Sequence, residues 1–195
     1  MPIYKIDSVI PVIHESSFVH PTAVIIGDVI IGKHCYIAPG ACLRGDFGRI
    51  QIDEGSNIQD NCIMHSYPDE ISIMRKNSHV GHGSILHGCD IGEDALIGMH
   101  AVVMDGAMIG SCSIVAACSF VAAKFTCPPR SLVLGIPAKV KREVTQQELD
   151  WKRAGTKDYQ ELVIRCQQGL VETLPLKEIE SNRPKIQANS KPLQR

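Results

Sequence analysis

Aliphatic residues recur along this chain at every sixth position. Val19, Ile25, Ile31, Ile37 and Leu43 form one series, and Ile52, Ile58 and Met64 a second. Val80 and Leu86, then Ile91, Ile97, Val103, Ile109, Val115 and Val121, form a third. A glycine or small residue often follows the aliphatic one, as in Ile31-Gly32, Ile91-Gly92, Ile97-Gly98 and Ile109-Gly110. Another small side chain tends to sit four places on, as at Ala23, Cys35, Ala41, Cys62, Ala95, Ala101 and Ala107. Neither the helical period of 3.6 nor simple strand alternation produces a period of six. One hexad suffices for a short strand and a corner, and three hexads close a triangular coil. Stacked coils then place the aliphatic residues in internal ladders, and the pattern predicts a parallel β-helix.

The pattern changes at Thr145. The stretch TQQELDWKRAGTKDYQELVIRCQQGLVETL has helical spacing, with Tyr159, Leu162, Val163, Cys166 and Leu170 on one side. Thr145 and Glu148 have the spacing of a capping box, and Gly155 is expected to divide the segment into two helical pieces. The expected organisation is mainly β: a β-helix domain over 1–144, a C-terminal helical segment over 145–180, and an extended or frayed tail over 181–195. The helical segment is expected to cover an open end of the β-helix or to pack along one side.

Composition agrees with a sheet. The 195 residues include 24 Ile and 15 Val against 11 Leu, and only 5% are aromatic. β-Branched residues suit a pleated surface. A formal net charge of −1 argues against nucleic acid as a partner. Ile114 to Ala123, the most apolar later stretch, is about half the roughly 18 residues that cross a bilayer, so no membrane partner is expected. The residues from Met1 to Asp7 show neither a basic region nor an apolar run of the signal-peptide kind. The expected compartment is the cytoplasm. The eight cysteines form no Cys-x-x-Cys pair and read as small apolar fillers with reduced thiols.

Eight histidines are the candidate chemistry. Met64 to Leu86 is longer than one coil, and a loop over Ser66–Ile73 with a strand over Met74–His79 restores the phase. His65 and His87 each follow a ladder residue directly and fall on equivalent faces of successive coils. His82 belongs to the preceding face and points elsewhere. The three are either separate surface histidines or a metal site completed by the His82 of a neighbouring subunit in a cyclic trimer. Three neutral imidazoles leave a coordination position for water.

The run Arg44-Gly45-Asp46-Phe47-Gly48-Arg49-Ile50, then Asn57-Ile58-Gln59-Asp60 and His65, followed by Gly81-His82-Gly83 and His87-Gly88-Cys89, resembles the γ-class carbonic anhydrase family of hexapeptide-repeat proteins. The likeness extends over nearly the whole chain to the branch that holds phenylacetate-degradation and carnitine-operon proteins. It implies a left-handed β-helix and a homotrimer with metal sites at its subunit interfaces. His65, His82 and His87 are then the metal ligands. The metal is zinc, with iron or cobalt also suited to such donors. Arg44 and Asp46 match an interface ion pair beside the site. Gln59 matches the residue that orients the water the metal activates, Asn57 lies nearby, and Tyr159 corresponds to a tyrosine lining the pocket. The implied substrates are small molecules: CO₂ or bicarbonate, or the acyl-CoA thioester hydrolysed in phenylacetate breakdown.

The sequence departs from that pattern at two points. Phe47 stands where the archetypal enzyme has a glutamate, and the short loop from Ser66 to Glu70 replaces an acidic proton-shuttle loop. Asp69 and Glu70 are the carboxylates left to carry protons. Two other functions share the architecture: a metal-independent hexapeptide acyltransferase with histidine as general base, and a non-catalytic assembly protein.

Overall fold

A computed structural model describes residues 2–186 of the chain. It is mainly β: a parallel β-solenoid of about seven turns with one C-terminal helix. Each coil contributes a short strand to each of three faces. The first face stacks Phe18–Val19, Tyr36–Ile37, Asn57–Ile58, His79–Val80, Leu96–Ile97 and Ile114–Val115 in parallel register. The second carries Ile63–His65, Ile85–His87, Val102–Val103 and Phe120–Val121. The third carries Ile71–Met74, Asp90–Ile91, Met108–Ile109 and Thr126–Cys127. Two long strands, Val24–Ile31 and Cys42–Ile52, run around the corner between the second and third faces and join them into one sheet.

The hexad ladder forms the core. Ile37, Ile58, Val80, Ile97 and Val115 line the first face from inside, and Leu43, Met64, Leu86, Val103 and Val121 the second. Ile31, Ile52, Met74, Ile91 and Ile109 line the third. Burying one such side chain stabilises the fold by about 1.5–3 kcal/mol. Three aliphatic rungs fill each coil, which leaves little room for aromatic rings inside. Cys35, Cys62 and Cys89 fill small buried positions, and burial pushes their thiols up to about 11, 11 and 12. The described cysteines are all free; Cys118 differs from the fillers in being exposed.

Two expectations need correcting. The strand expected over Met74–His79 is instead Ile71–Met74, paired with Arg49–Ile52, and the loop shortens to residues 66–70. The inward position that broke the aliphatic pattern is Ser72, which is fully buried and held beside the Cys89 N–H at 3.4 Å. The second correction concerns Gly155, which does not divide the helical segment. A single helix, α1 (Gln146–Gly169), starts at the Thr145 cap with its reciprocal Glu148 contact. A mid-helix glycine costs roughly 1 kcal/mol against alanine, and anchors on both sides of Gly155 outweigh that.

α1 packs along the first face. Val163 joins Tyr36 and Ala38, with Phe18, Tyr159 and Leu162 around them. Lys152 is 2% exposed and donates from Nζ to Asp94 Oδ1 at 2.7 Å and to the Asn77 carbonyl. Burial lowers its pKa against the opposing pull of Asp94. Gln160 donates to the Gly55 carbonyl at 3.1 Å and to Asn77 Oδ1 at 3.0 Å. Residues 170–186 carry no helix or strand, and of the tail expected over 181–195, residues 187–195 lie outside the described residues.

Candidate metal centre in two halves

The second face presents the first half of the site. His65 and His87 are in register on neighbouring strands, and His65 Nδ1 lies 3.0 Å from His87 Nε2. Each outer ring nitrogen meets a carboxylate: His65 Nε2 lies 2.9 Å from Asp46 Oδ1, and His87 Nδ1 bonds Asp105. An imidazole that gives its single N–H to a carboxylate keeps a lone pair on the other nitrogen. With both N–H groups on the carboxylate side, both inner nitrogens offer lone pairs to a cation; without one, their 3.0 Å contact is a hydrogen bond from one ring to the other. The first arrangement suits a cation between them.

The spacing also suits zinc. Two imidazole nitrogens on one tetrahedral zinc, each at 2.0–2.1 Å, lie about 3.3 Å apart. Arg44 stands beside the pair, its guanidinium 3.3 Å from His65 Nε2 and 3.5 Å from Asp46 Oδ2. Phe47, 63% exposed, lies over His65 with ring centroids 5.4 Å apart, and Tyr67 meets His87 edge-on at 4.9 Å. Loop 66–70 brings Tyr67 there by passing over Gly48, where a Cβ would lie 2.0 Å from the Tyr67 carbonyl oxygen. Only glycine fits beneath it.

His82 sits at the corner between the first and second faces, at the opposite edge of the second face from the His65–His87 pair. Its Nδ1 lies 2.5 Å from Asp60 Oδ2, which leaves Nε2 free as a donor atom for a metal. Among the described residues no group of three or more His, Cys, Asp or Glu comes together to hold a metal within one chain. The pair on one edge and the third histidine on the other are the geometry that the sequence phasing anticipates.

Gln59, Asn57 and Tyr159 belong with His82, not with the pair. They surround His79, a residue sequence reasoning missed. Asn57 and Gln59 are 0% and 3% exposed. Gln59 Nε2 lies 2.5 Å from His79 Nε2, and Asn57 Nδ2 lies 3.3 Å from His79 Nδ1. The His79 ring meets Tyr159 edge-on at 5.3 Å. Burial, with Lys152 and His82 nearby, pushes His79 down to about 3. Burial likewise raises Tyr159 to about 12. A cavity of about 410 Å³ opens from this cluster between α1 and the first face, with Gln59, His79, His82, Met99, Trp151 and Tyr159 among its walls.

Asp105 and Tyr67 were also missed. Asp105 lies 18 residues after His87, one coil further on, and His79 lies 22 residues after Asn57, one coil plus the loop. Counting coils from each candidate residue is the signal that finds both. Tyr67 has no such signal, because its place depends on the path of an irregular loop.

Comparison with known proteins agrees with this architecture. Residues 10–45 and 88–123 match the bacterial transferase hexapeptide family (six repeats). The chain is 56% identical to the carnitine operon protein CaiE of Salmonella agona (strain SL483), covering 97% of this chain and 96% of the relative. Against CaiE of Escherichia coli (strain K12) the identity is 55%, with 97% of each covered. The crystal structure of a hexapeptide transferase family protein from Anaplasma phagocytophilum superposes with a TM-score of 0.81 at 34% identity, over 87% of this chain and 98% of that one. No helix among the described residues is long and apolar enough to cross a membrane. The chain belongs to the hexapeptide-repeat family, in the branch of the carnitine operon protein CaiE.

Proposed function

We propose that three copies of this chain assemble into a ring and act as a zinc-dependent hydrolase of acyl-CoA thioesters, with CO₂ hydration as a second activity of the same site. His65 and His87 of one subunit and the partner subunit's His82 would hold the metal. The observation that carries this reading is the facing pair of inner nitrogens on His65 and His87, each ring held from outside by a carboxylate. A zinc ion bound there supplies Lewis acidity, which brings the pKa of water toward 7 and makes it a nucleophile at neutral pH.

The chain's own residues supply the rest. Asp46, Asp60 and Asp105 keep the three imidazoles in the ligating orientation. Arg44 balances Asp46 and offers a cation to an anionic product such as a carboxylate or bicarbonate. Gln59 turns a carboxamide toward the cavity to orient the attacking water, with Asn57 behind it. Tyr159, its phenol kept protonated, lines the same cavity. Met99 and Trp151 line the apolar side of the cavity, where the acyl group would lie. The relatives are named as carnitine operon proteins, and an acyl-CoA thioester is the substrate class we assign to this site.

A metal-independent acyltransferase is the second reading, favoured by the match to the transferase hexapeptide family. Metal content, thioester hydrolysis and CO₂ hydration, measured on the native protein, the chelated protein and His82→Ala, separate the two. We expect both activities to vanish with chelator, return with zinc, and be absent in His82→Ala together with the metal. Activity that survives chelation would establish the acyltransferase reading instead. A trimer lacking any activity would leave an assembly role.

A further inference from the structure

The fold does not require a glycine at position 155. A Cβ placed there meets no atom within 4 Å, and the backbone is ordinary helix within α1. Alanine is favoured over glycine in a helix interior, so stability alone would select a side chain. Gly48 is the contrast, because a Cβ there strikes backbone oxygens. The empty space beside Gly155 belongs to the cavity between α1 and the first face. Trp151, Gly155 and Tyr159 follow one another at four-residue intervals and form one stripe on the cavity side of α1. Two aromatic side chains thus flank the one position of that stripe that has none.

The opposite wall changes character from coil to coil. His79, Leu96 and Ile114 stand in register on three successive coils. At the neighbouring corner Gly81-His82 lies against Gly98-Met99, and Gly98 against Ala116-Ala117. The cavity is therefore polar beside His79 and His82 and apolar over the next two coils, a distance of about 10 Å. Lys152 is a further wall residue, but its Nζ is taken by Asp94 and the Asn77 carbonyl. α1 runs alongside from the last coil, where Arg130 bonds the Val144 carbonyl, back toward Tyr36. Tyr159 marks the polar end through its contact with His79, and Trp151 lies about 12 Å further along the helix. Gly155 is midway. A side chain there would stand between the polar end and the apolar end.

We propose that Gly155 is a specificity-determining residue: its missing side chain keeps open a channel in which an uncharged, apolar acyl group longer than acetyl extends from the His82 end across two coils toward Trp151. The effect on turnover rests on the hydrolase reading above; the binding of the acyl group does not.

Trp151 is the one tryptophan of the chain, so its fluorescence reports occupancy of the channel without any turnover. In the metal-free protein we expect octanoyl-CoA to shift the emission saturably, and acetyl-CoA to leave it unshifted. Gly155→Leu should weaken octanoyl-CoA binding about ten- to a hundred-fold. In the zinc-loaded protein the same substitution should lower the ratio of kcat/KM for octanoyl-CoA to that for acetyl-CoA by a similar factor. Gly155→Ala should melt above the native protein, as expected if the fold gains nothing from the glycine. An emission indifferent to octanoyl-CoA, equal octanoyl-CoA affinity in Gly155→Leu, or a lower melting temperature for Gly155→Ala overturns the proposal. A native protein that binds octanoyl-CoA in this Gly155-dependent way without hydrolysing it supports the channel and overturns the hydrolase reading.

Discussion

His65 and His87 stand on consecutive coils with their inner nitrogens 3.0 Å apart, although 22 residues separate them in the chain. The extra residues beyond one coil form loop 66–70, which leaves the register of the two strands intact. The carboxylates behind the rings make this pair sensitive to changes that touch neither histidine.

Asp105 is the first such position. It bonds the outer nitrogen of His87 and so fixes the tautomer that directs Nε2 inward. Asp105→Asn should weaken zinc binding by about 10- to 100-fold, read by competition with a chromogenic chelator. Thermal unfolding of the metal-free protein should hardly change. Unaltered zinc affinity would mean that Asp105 does not orient a ligand.

Phe47 bears on proton transfer. It is exposed and lies over His65, at the position where the family resemblance has a glutamate. Phe47→Glu should raise CO₂ hydration more than thioester hydrolysis, because CO₂ hydration must export a proton in every turnover. Equal effects on the two rates, measured side by side, would argue against a limit set by proton transfer.

Gly48 links the fold to the site. A methyl group there meets the Tyr67 carbonyl oxygen at 2.0 Å and the Glu70 carbonyl oxygen at 2.6 Å. Gly48→Ala should lift loop 66–70, withdraw Tyr67 from His87 and make the loop a site of limited proteolysis. The buried ladder is untouched, so the far-ultraviolet circular dichroism should stay native. A loop that remains protease-resistant would show that the crowding is absorbed elsewhere.

The start of α1 should respond to acid. Arg142, with help from Thr145, holds Glu148 down to about 2 from 4.5. A carboxyl with a depressed pKa in the folded state adds stability above its unfolded pKa and loses it as pH falls through the folded value. The contribution is thus complete above about 4.5 and gone below about 2. The melting temperature of the native protein should fall further across that window than that of Glu148→Gln. Parallel curves for the two proteins would show that the cap adds nothing measurable.

The period-six ladder made the β-helix legible, because every inward position of a narrow coil must be apolar and the requirement repeats with each face. Thr145 and Glu148 made the start of α1 legible for a similarly local reason. The phase of His65, His82 and His87 followed from the same count, and so did the separation of the pair from the third histidine. Ser72 hid a strand because a buried serine satisfied by a neighbouring backbone looks like a loop residue in the sequence.

The sequence by itself determined the architecture and which face each histidine occupies, since both depend on a repeat that short-range counting recovers. Only the tertiary structure decided that α1 stays whole across Gly155, that Tyr67 reaches His87, and that Lys152 and Tyr159 close over His79. These depend on which coil lies above which, and on a helix far along the chain that supplies Lys152 and Tyr159. Contacts across such distances are set by how the faces pack, and no local pattern of residue types encodes them.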